Sequence, residues 1–290
     1  LIMLTPAIIH VFIFAYLPMG GIVMAFKQFK YPLGIFGSPW VGLDNFRFFF
    51  LSGQALKVTR NTILYNAAFL MVNTVLEITF AIILSEISAK YFKKIVQSVM
   101  FLPHFVSWVI VASIAYNIFN FETGVLNNFL TSLGADPVNI YSKPFVWKYI
   151  LVLFKAWKSV GYRTVVYLAS IVNIDNELYK AAEIDGANIF ERIRHITLPY
   201  IVPTMVILIL LAIGQVFRGD FGLFYQLVGN NGLLFDATDI IDTFVFRSLM
   251  QSSEIGMAAA AGFYQSVMCF VAIILTNFAV KKVQSDYALF

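Results

Sequence analysis

ELYKAAEIDGANIFERIRHITLP, residues 177–199, is a charged stretch in a chain that is otherwise mostly apolar. A segment this polar cannot lie in hydrocarbon, so it projects from a membrane and meets a partner in water. The surrounding composition sets that context. Of 290 residues, 60% are hydrophobic and only 12% charged, and the mean hydropathy is +0.80. A soluble domain carries about 25% charged residues, so this chain lacks the surface charge that water demands. It reads as a polytopic membrane protein, with 30 Phe and 14 Tyr suited to lipid-facing helices and interfacial belts. The net charge of +4 is what cytoplasmic loops normally supply and calls for no nucleic acid. Cys269 lies alone within an apolar run, which excludes an internal disulfide framework and suggests a packed thiol.

Runs of about 20 residues with few charges mark six spans: roughly 1–26, 61–85, 96–119, 149–172, 200–217 and 255–280. The fold expected is all-α, one integral membrane domain over 1–290 with no short-period repeat. Residues 1–26 hold no Asp, Glu, Lys or Arg and are long enough to cross the bilayer, which argues for a genuine first span rather than a cleaved signal. Because the chain opens at Leu1 without Met, residues before it are expected to be missing. Segments 86–95, 173–199 and 281–290 hold eight Lys and Arg in 47 residues, while 27–60, 120–148 and 218–254 hold nine in 100. The denser set is expected to be cytoplasmic, which places both termini there. Opposite it, YPLGIFGSPWVGLDNF at 31–46 reads as compact turns against the membrane surface or as a plain interfacial loop.

Catalytic signatures are missing. There is no G-x-x-x-x-G-K-[ST] phosphate cradle and no H-E-x-x-H, G-x-S-x-G or C-x-x-C. His10, His104 and His195 fall on different elements, with His104 reading as structural after Pro103. Asp236, Asp239 and Asp242 share a spacing that suits a solvated helix face better than a cation site, so no metal is expected.

Charges inside spans are costly and therefore informative. Lys155, Lys158 and Arg163 lie in the fourth span and Glu77 in the second. On a helix, Lys155, Ser159 and Tyr162 share a face with Lys158 beside it. Two readings stand open. This face lines a translocation path, where its cations favour an acidic or polyhydroxylated solute, Trp157, Tyr162 and Tyr264 stack on sugar rings, and Gln265 bonds hydroxyls. Alternatively, the cluster is structural, with Lys155 or Lys158 paired to Glu77 or reaching outward to the interface.

Within 177–199, Asn176 or Asp175 caps a first helix running through Glu183, Asp185-Gly186 supplies a turn, and a second helix runs from about 188 to 196. Pro199 and Pro203 then open the fifth span. The stretch resembles the EAA loop of binding-protein-dependent ABC importer permeases, whose pattern is E-A-A-x-x-D-G-A with a hydrophobic anchor and a closing Leu-Pro. KAAEIDGA at 180–187 and ITLP at 196–199 match at Ala181, Ala182, Asp185, Gly186, Ala187, Ile196, Leu198 and Pro199, with Ile193 as anchor. Further stretches resemble the LplB-like branch associated with oligosaccharide and polysaccharide-fragment uptake: FAYLPMGGIVMAF at 14–26, SPWVGLDNF at 38–46, FLPHFVSW at 101–108, DFGLFYQL at 220–227, TDIIDTFVFRSL at 238–249, GMAAAAGFYQSV at 256–267 and YALF at 287–290. The last is expected to be a natural C-terminus.

The resemblance implies a type I importer of the bacterial inner membrane. In it this non-catalytic chain pairs with a homologous permease, docks two ATPase subunits through the cytoplasmic loop 173–199, and receives an oligosaccharide from an extracytoplasmic binding protein. No cofactor is expected in this chain, since ATP and magnesium would belong to the ATPase. The family's leading Glu is replaced by Lys180, with Glu183 one turn along as a substitute. An ion-gradient-driven transporter would need more embedded carboxylates than Glu77, and a structural membrane subunit without a path would leave 177–199 unexplained.

Overall fold

A computed structural model describes residues 2–251 and 253–283, so YALF at 287–290 lies outside the described residues. Among those described the chain is helical, with one isolated antiparallel bridge between Lys27 and Trp40. Helices Thr5–Phe26, Gln54–Glu86, Ile189–Ile213 and Ile255–Phe278 are each long and apolar enough to cross a membrane. The fourth expected span is the helix Pro144–Val172, whose 29 residues are long enough, though with Lys148, Lys155, Lys158 and Arg163 it does not join that apolar set.

Two expectations are corrected. The third span is not one straight helix over 96–119: it is broken into Lys90–Phe105 and Trp108–Phe119, bent by 95°. Pro103 weakens the last turn of the first half, Val106 is extended, and the Ser107 hydroxyl caps the second half by accepting from the Ile110 N–H at 3.4 Å. The fifth span is also different. Rather than starting afresh near residue 200, it is continuous with the second loop helix and runs from Ile189 to Ile213, ending before Gly214 rather than at 217. A wide turn over Ile193–Thr197, in which the Leu198 N–H reaches the Ile193 carbonyl, lets the helix pass Pro199 without a break.

The chain forms two compact units, the first holding residues up to 63, 217–221 and 239–271, the second 64–216, 222–238 and the described residues from 272. In the first, Phe49, Ala55, Val58, Ile241, Phe244 and Ala261 make the core. The loop 31–46 is closed on itself. Gln28 N–H donates to Pro39 at 3.0 Å, Lys27 Nζ to the carbonyl of Phe36 at 2.7 Å, and Asn45 Nδ2 to those of Ala25 and Lys27 at 2.9 and 3.1 Å. Asp239 accepts from Thr243 Oγ1 at 2.6 Å and pairs with Arg247, while its backbone carbonyl takes Asn61 Nδ2 at 3.0 Å.

The second unit is centred on Pro144–Val172. Its inner face joins Ala81, Leu84, Tyr167, Leu168, Ile171, Ile174 and Ile201 in one core. Apolar residues gain little by hiding from lipid, so tight packing at small residues has to hold such helices together. Gly161 is the clearest instance, since a Cβ there would stand 1.9 Å from the Met100 carbonyl oxygen. Gly161→Ala is therefore expected to lower the melting temperature of the detergent-purified protein, at an overpacking cost of about 1–3 kcal/mol. Gly262→Ala, where an added Cβ meets nothing within 4 Å, should hold it level or raise it; equal melting temperatures would contradict the close contact.

Candidate functional site

The loop 173–199 is built from strong local signals. Asp175 Oδ1 accepts from the Glu177 N–H at 2.9 Å and starts the helix Asn176–Ile184. That helix ends at Gly186, whose φ of +79° is the left-handed conformation that a glycine adopts without strain. There the Ala187 N–H reaches the Ala182 carbonyl at 2.8 Å and the Gly186 N–H the Glu183 carbonyl at 3.1 Å, closing the turn. Asn188 and Glu191 then cap each other reciprocally to begin the next helix.

Two ties hold these helices together. Glu183 pairs with Arg192, and Tyr179 Oη meets the buried Thr197 Oγ1 at 2.9 Å. Tyr179 and Ile196 also pack on the core of the second unit, so the loop is fastened to the spans. Lys180, Ala181, Glu183, Asp185, Gly186, Leu198 and Pro199 are exposed, while Ala182, Ala187 and Ile193 are half-buried. Sequence reading missed Ile184 and Phe190, which are 86% and 78% exposed on either side of the turn. Their signal was available as two large apolar residues in the most polar stretch of the chain.

Of the residues suggested for a path, Lys158 and Tyr162 gather at the break in the third span. Lys158 Nζ donates to the carbonyls of His104 at 2.8 Å, Pro103 at 3.3 Å and Val106, and lies 5.3 Å from the centre of the Trp108 ring. Tyr162 stacks on His104 with centroids 4.7 Å apart. Lys155 lies 6.0 Å from the Phe69 ring centre, Ser159 is half-buried beside it, and Trp157 is exposed against the edge of Phe154. Neither lysine pairs with Glu77. Both Glu77 oxygens are buried without a hydrogen-bond partner, and the charge acting on them is that of Arg163.

Tyr264 and Gln265 belong to the first unit and are taken up in its packing. Tyr264 contacts Phe49 and Phe50 and lies 3.2 Å from Thr59 Oγ1. Gln265 Nε2 donates to the Phe217 carbonyl at 2.8 Å and to Asp242 Oδ2 at 2.9 Å, and the Gly219 N–H reaches the same oxygen at 2.7 Å. Burial raises the Asp242 carboxyl above the ordinary range, opposed by these donors and by Arg218.

The sequence model of the family described as binding-protein-dependent transport system inner membrane component matches residues 1–285. Protein LplB of Bacillus subtilis (strain 168) is 33% identical over 98% of this chain and 89% of its own. From the same organism, the polygalacturonan/rhamnogalacturonan transport system permease protein YteP is 32% identical over 97% and 87%. A chain of the bacterial alginate ABC transporter, solved in complex with alginate pentasaccharide-bound periplasmic protein, superimposes with a TM-score of 0.86 at 33% identity, covering 97% of this chain and 93% of that one.

Two outcomes are expected from these contacts. Replacing Lys158 by Met keeps the aliphatic stem but removes the charged donors, which should cost about 2 kcal/mol and lower the melting temperature, with Lys158→Arg losing less; a Met variant as stable as the parent would show the carbonyls satisfied otherwise. Asp242 is raised in the folded state, so its stabilising contribution is greatest below the ordinary carboxylate pKa and is lost as pH rises through the folded value. Asp242→Asn should flatten the fall in melting temperature over that interval, and an unchanged slope would count against the burial effect.

Proposed function

The chain belongs to the family of binding-protein-dependent transport system inner membrane components, and on that premise we propose which solute it passes and how it is driven. It is a membrane-spanning permease of a sugar-importing ABC transporter in the inner membrane, a transport subunit and not a catalyst. The solute is an acidic oligosaccharide carrying uronate groups. Two relatives support this choice, one named for polygalacturonan and rhamnogalacturonan, the other solved with an alginate pentasaccharide on its periplasmic protein. These polymers present carboxylates, and the fourth span of this chain carries Lys155 and Arg163 besides Lys158, whose ammonium serves the carbonyls at the break in the third span.

The chain forms half of a path with a homologous permease and takes its solute from an extracytoplasmic binding protein. Two ATPase subunits, which bind the ATP and magnesium, dock on residues 177–199 from the cytoplasm, the side on which both termini lie. The coupling role rests on one observation: the tightly capped turn at Asp185-Gly186 presents Ile184 and Phe190 to water on a loop fastened to the spans. Large apolar side chains held outward by a rigid, polar loop suit a protein cleft, where they become buried anchors. Closure of the ATPases then moves the loop and the spans attached to it as one body.

The direct test is the ATPase rate of the reconstituted transporter with solute-loaded binding protein. Gly186→Pro cannot adopt the positive φ of the turn, and Asp185→Lys reverses charge at the docking turn. Both are expected to abolish stimulation while the membrane subunits still assemble, and normal stimulation in both would refute coupling through this loop. A screen with oligouronates and neutral oligosaccharides of equal length should show stimulation by the acidic set only.

A further inference from the structure

Glu77 lies on Gln54–Glu86 at the level of the membrane, 1% exposed, with neither carboxylate oxygen hydrogen-bonded. One turn earlier on the same face, the Oδ1 of buried Asn73 is also without a partner. Opposite stands Pro144–Val172. There Thr164 Oγ1 donates to the Glu77 backbone carbonyl at 3.4 Å, and neighbouring Arg163 is the cation whose field reaches Glu77. Tyr167, one turn beyond Arg163 and fully buried, feels both charges. Among the described residues, Arg163 makes no ion pair or hydrogen bond.

Two groups of opposite charge type thus stand at one helix contact inside the membrane, Glu77 buried and Arg163 half-buried, with no ion pair or hydrogen bond between them among the described residues. Unpaired ionised groups are among the least tolerated features of a bilayer interior, and removing one partner from a buried pair is far more damaging than never having had the pair. A long guanidinium with five donors can be brought onto a carboxylate by a rotamer change, and helix slides of about 1–2 Å are a common form of switching movement. Both helices are placed for such a slide. Pro144–Val172 leads through Asp175 into the loop helix Asn176–Ile184, and Gln54–Glu86 packs through Ala81 and Leu84 on Ile174 and Ile201 at the other side of the same core.

We infer that Glu77 and Arg163 are the two halves of an ion pair, open in this conformation and closed in another state of the transport cycle, whose closure sets the balance between the two states. The inference rests on the ATP-driven reading above. It requires that a movement of the loop change the register of the helices carrying Glu77 and Arg163.

The test uses the complete transporter in lipid nanodiscs, with the basal ATPase rate compared to the rate with solute-loaded binding protein. Stimulation of the unaltered protein establishes the underlying reading, and its absence would condemn that reading and not the pair. Glu77→Gln and Arg163→Gln are each expected to change the ratio of stimulated to basal rate by about fivefold or more, and the double variant to return within about twofold of the parent, as coupled partners do. Single variants that behave as the parent, or whose effects multiply in the double, overturn the inference. Should the variants fail to assemble, electron cryomicroscopy of the unaltered transporter, nucleotide-free and vanadate-trapped, gives the separation directly. Nitrogen and oxygen are expected within about 4 Å in one state, and a gap maintained in both overturns the pair.

Discussion

The carbonyls of Pro103, His104 and Val106 all turn toward one ammonium group, that of Lys158. A helix broken inside a membrane frees backbone acceptors that lipid cannot satisfy, each costing several kcal/mol. At the break at residues 106 and 107 a cation from the neighbouring helix Pro144–Val172 meets the negative C-terminal end of Lys90–Phe105. Much of the second unit follows from this contact. Lys158 reaches the carbonyls because Gly161, three residues on, lets the backbones of Pro144–Val172 and Lys90–Phe105 touch at Met100. With the bend fixed, Trp108 starts the second half beneath the ammonium, and Gly222 leaves space for its ring. An embedded lysine that suggests a solute contact thus has a structural duty first.

The same economy governs the loop. Pro144–Val172 runs into it with only Asn173, Ile174 and Asp175 between the helices, and Ile174 is buried in the core. At the far end the loop does not stop before the membrane. The wide turn at Ile193–Thr197 absorbs Pro199 and carries the helix on to Ile213. Tyr179 and the Glu183–Arg192 pair close the triangle between the two arms. An exposed ion pair is worth little alone, but here it joins helices already held by capping and burial. Asn176–Ile184 is thus tied to the helices on both sides of it.

How much of this was legible in the sequence varies with the physics involved. The Asp175 cap and the Asp185-Gly186 turn are local, and the structure has both. The break in the third span was not legible, because FLPHFVSW at 101–108 is apolar on both sides of the bend, and hydropathy cannot see a change of direction. The continuous helix through Pro199 failed for a related reason, since the rule that proline opens a helix assumes an ordinary turn before it. Gln265 read as a hydroxyl-binding group, yet its donors are spent on Phe217 and Asp242, partners 48 and 23 residues away that no pattern joins. The stretches carrying the family resemblance are packing nodes. Gly256 admits Asn45 of SPWVGLDNF, and Asp239, Thr243 and Arg247 of TDIIDTFVFRSL knot together.

Lys180 departs from the family pattern at the start of the loop motif. It stands where the family carries glutamate, exposed on Asn176–Ile184, and Glu183 one turn along is the only nearby carboxylate on that helix besides Glu177. Glu183 already serves Arg192 across the turn. Recruiting it to a docking partner would share the charge that braces the two arms, weakening the rigidity that coupling needs. On the proposed reading, contact at this subunit therefore depends less on an ion pair and more on burial of Ile184 and Phe190. Burial of one such side chain contributes about 1.5–3 kcal/mol and is nearly insensitive to salt, whereas an exposed ion pair contributes at most about 1 kcal/mol and is screened. On that reading, two apolar anchors on a loop whose turn is set by Gly186 supply the contact that the family's glutamate would otherwise make.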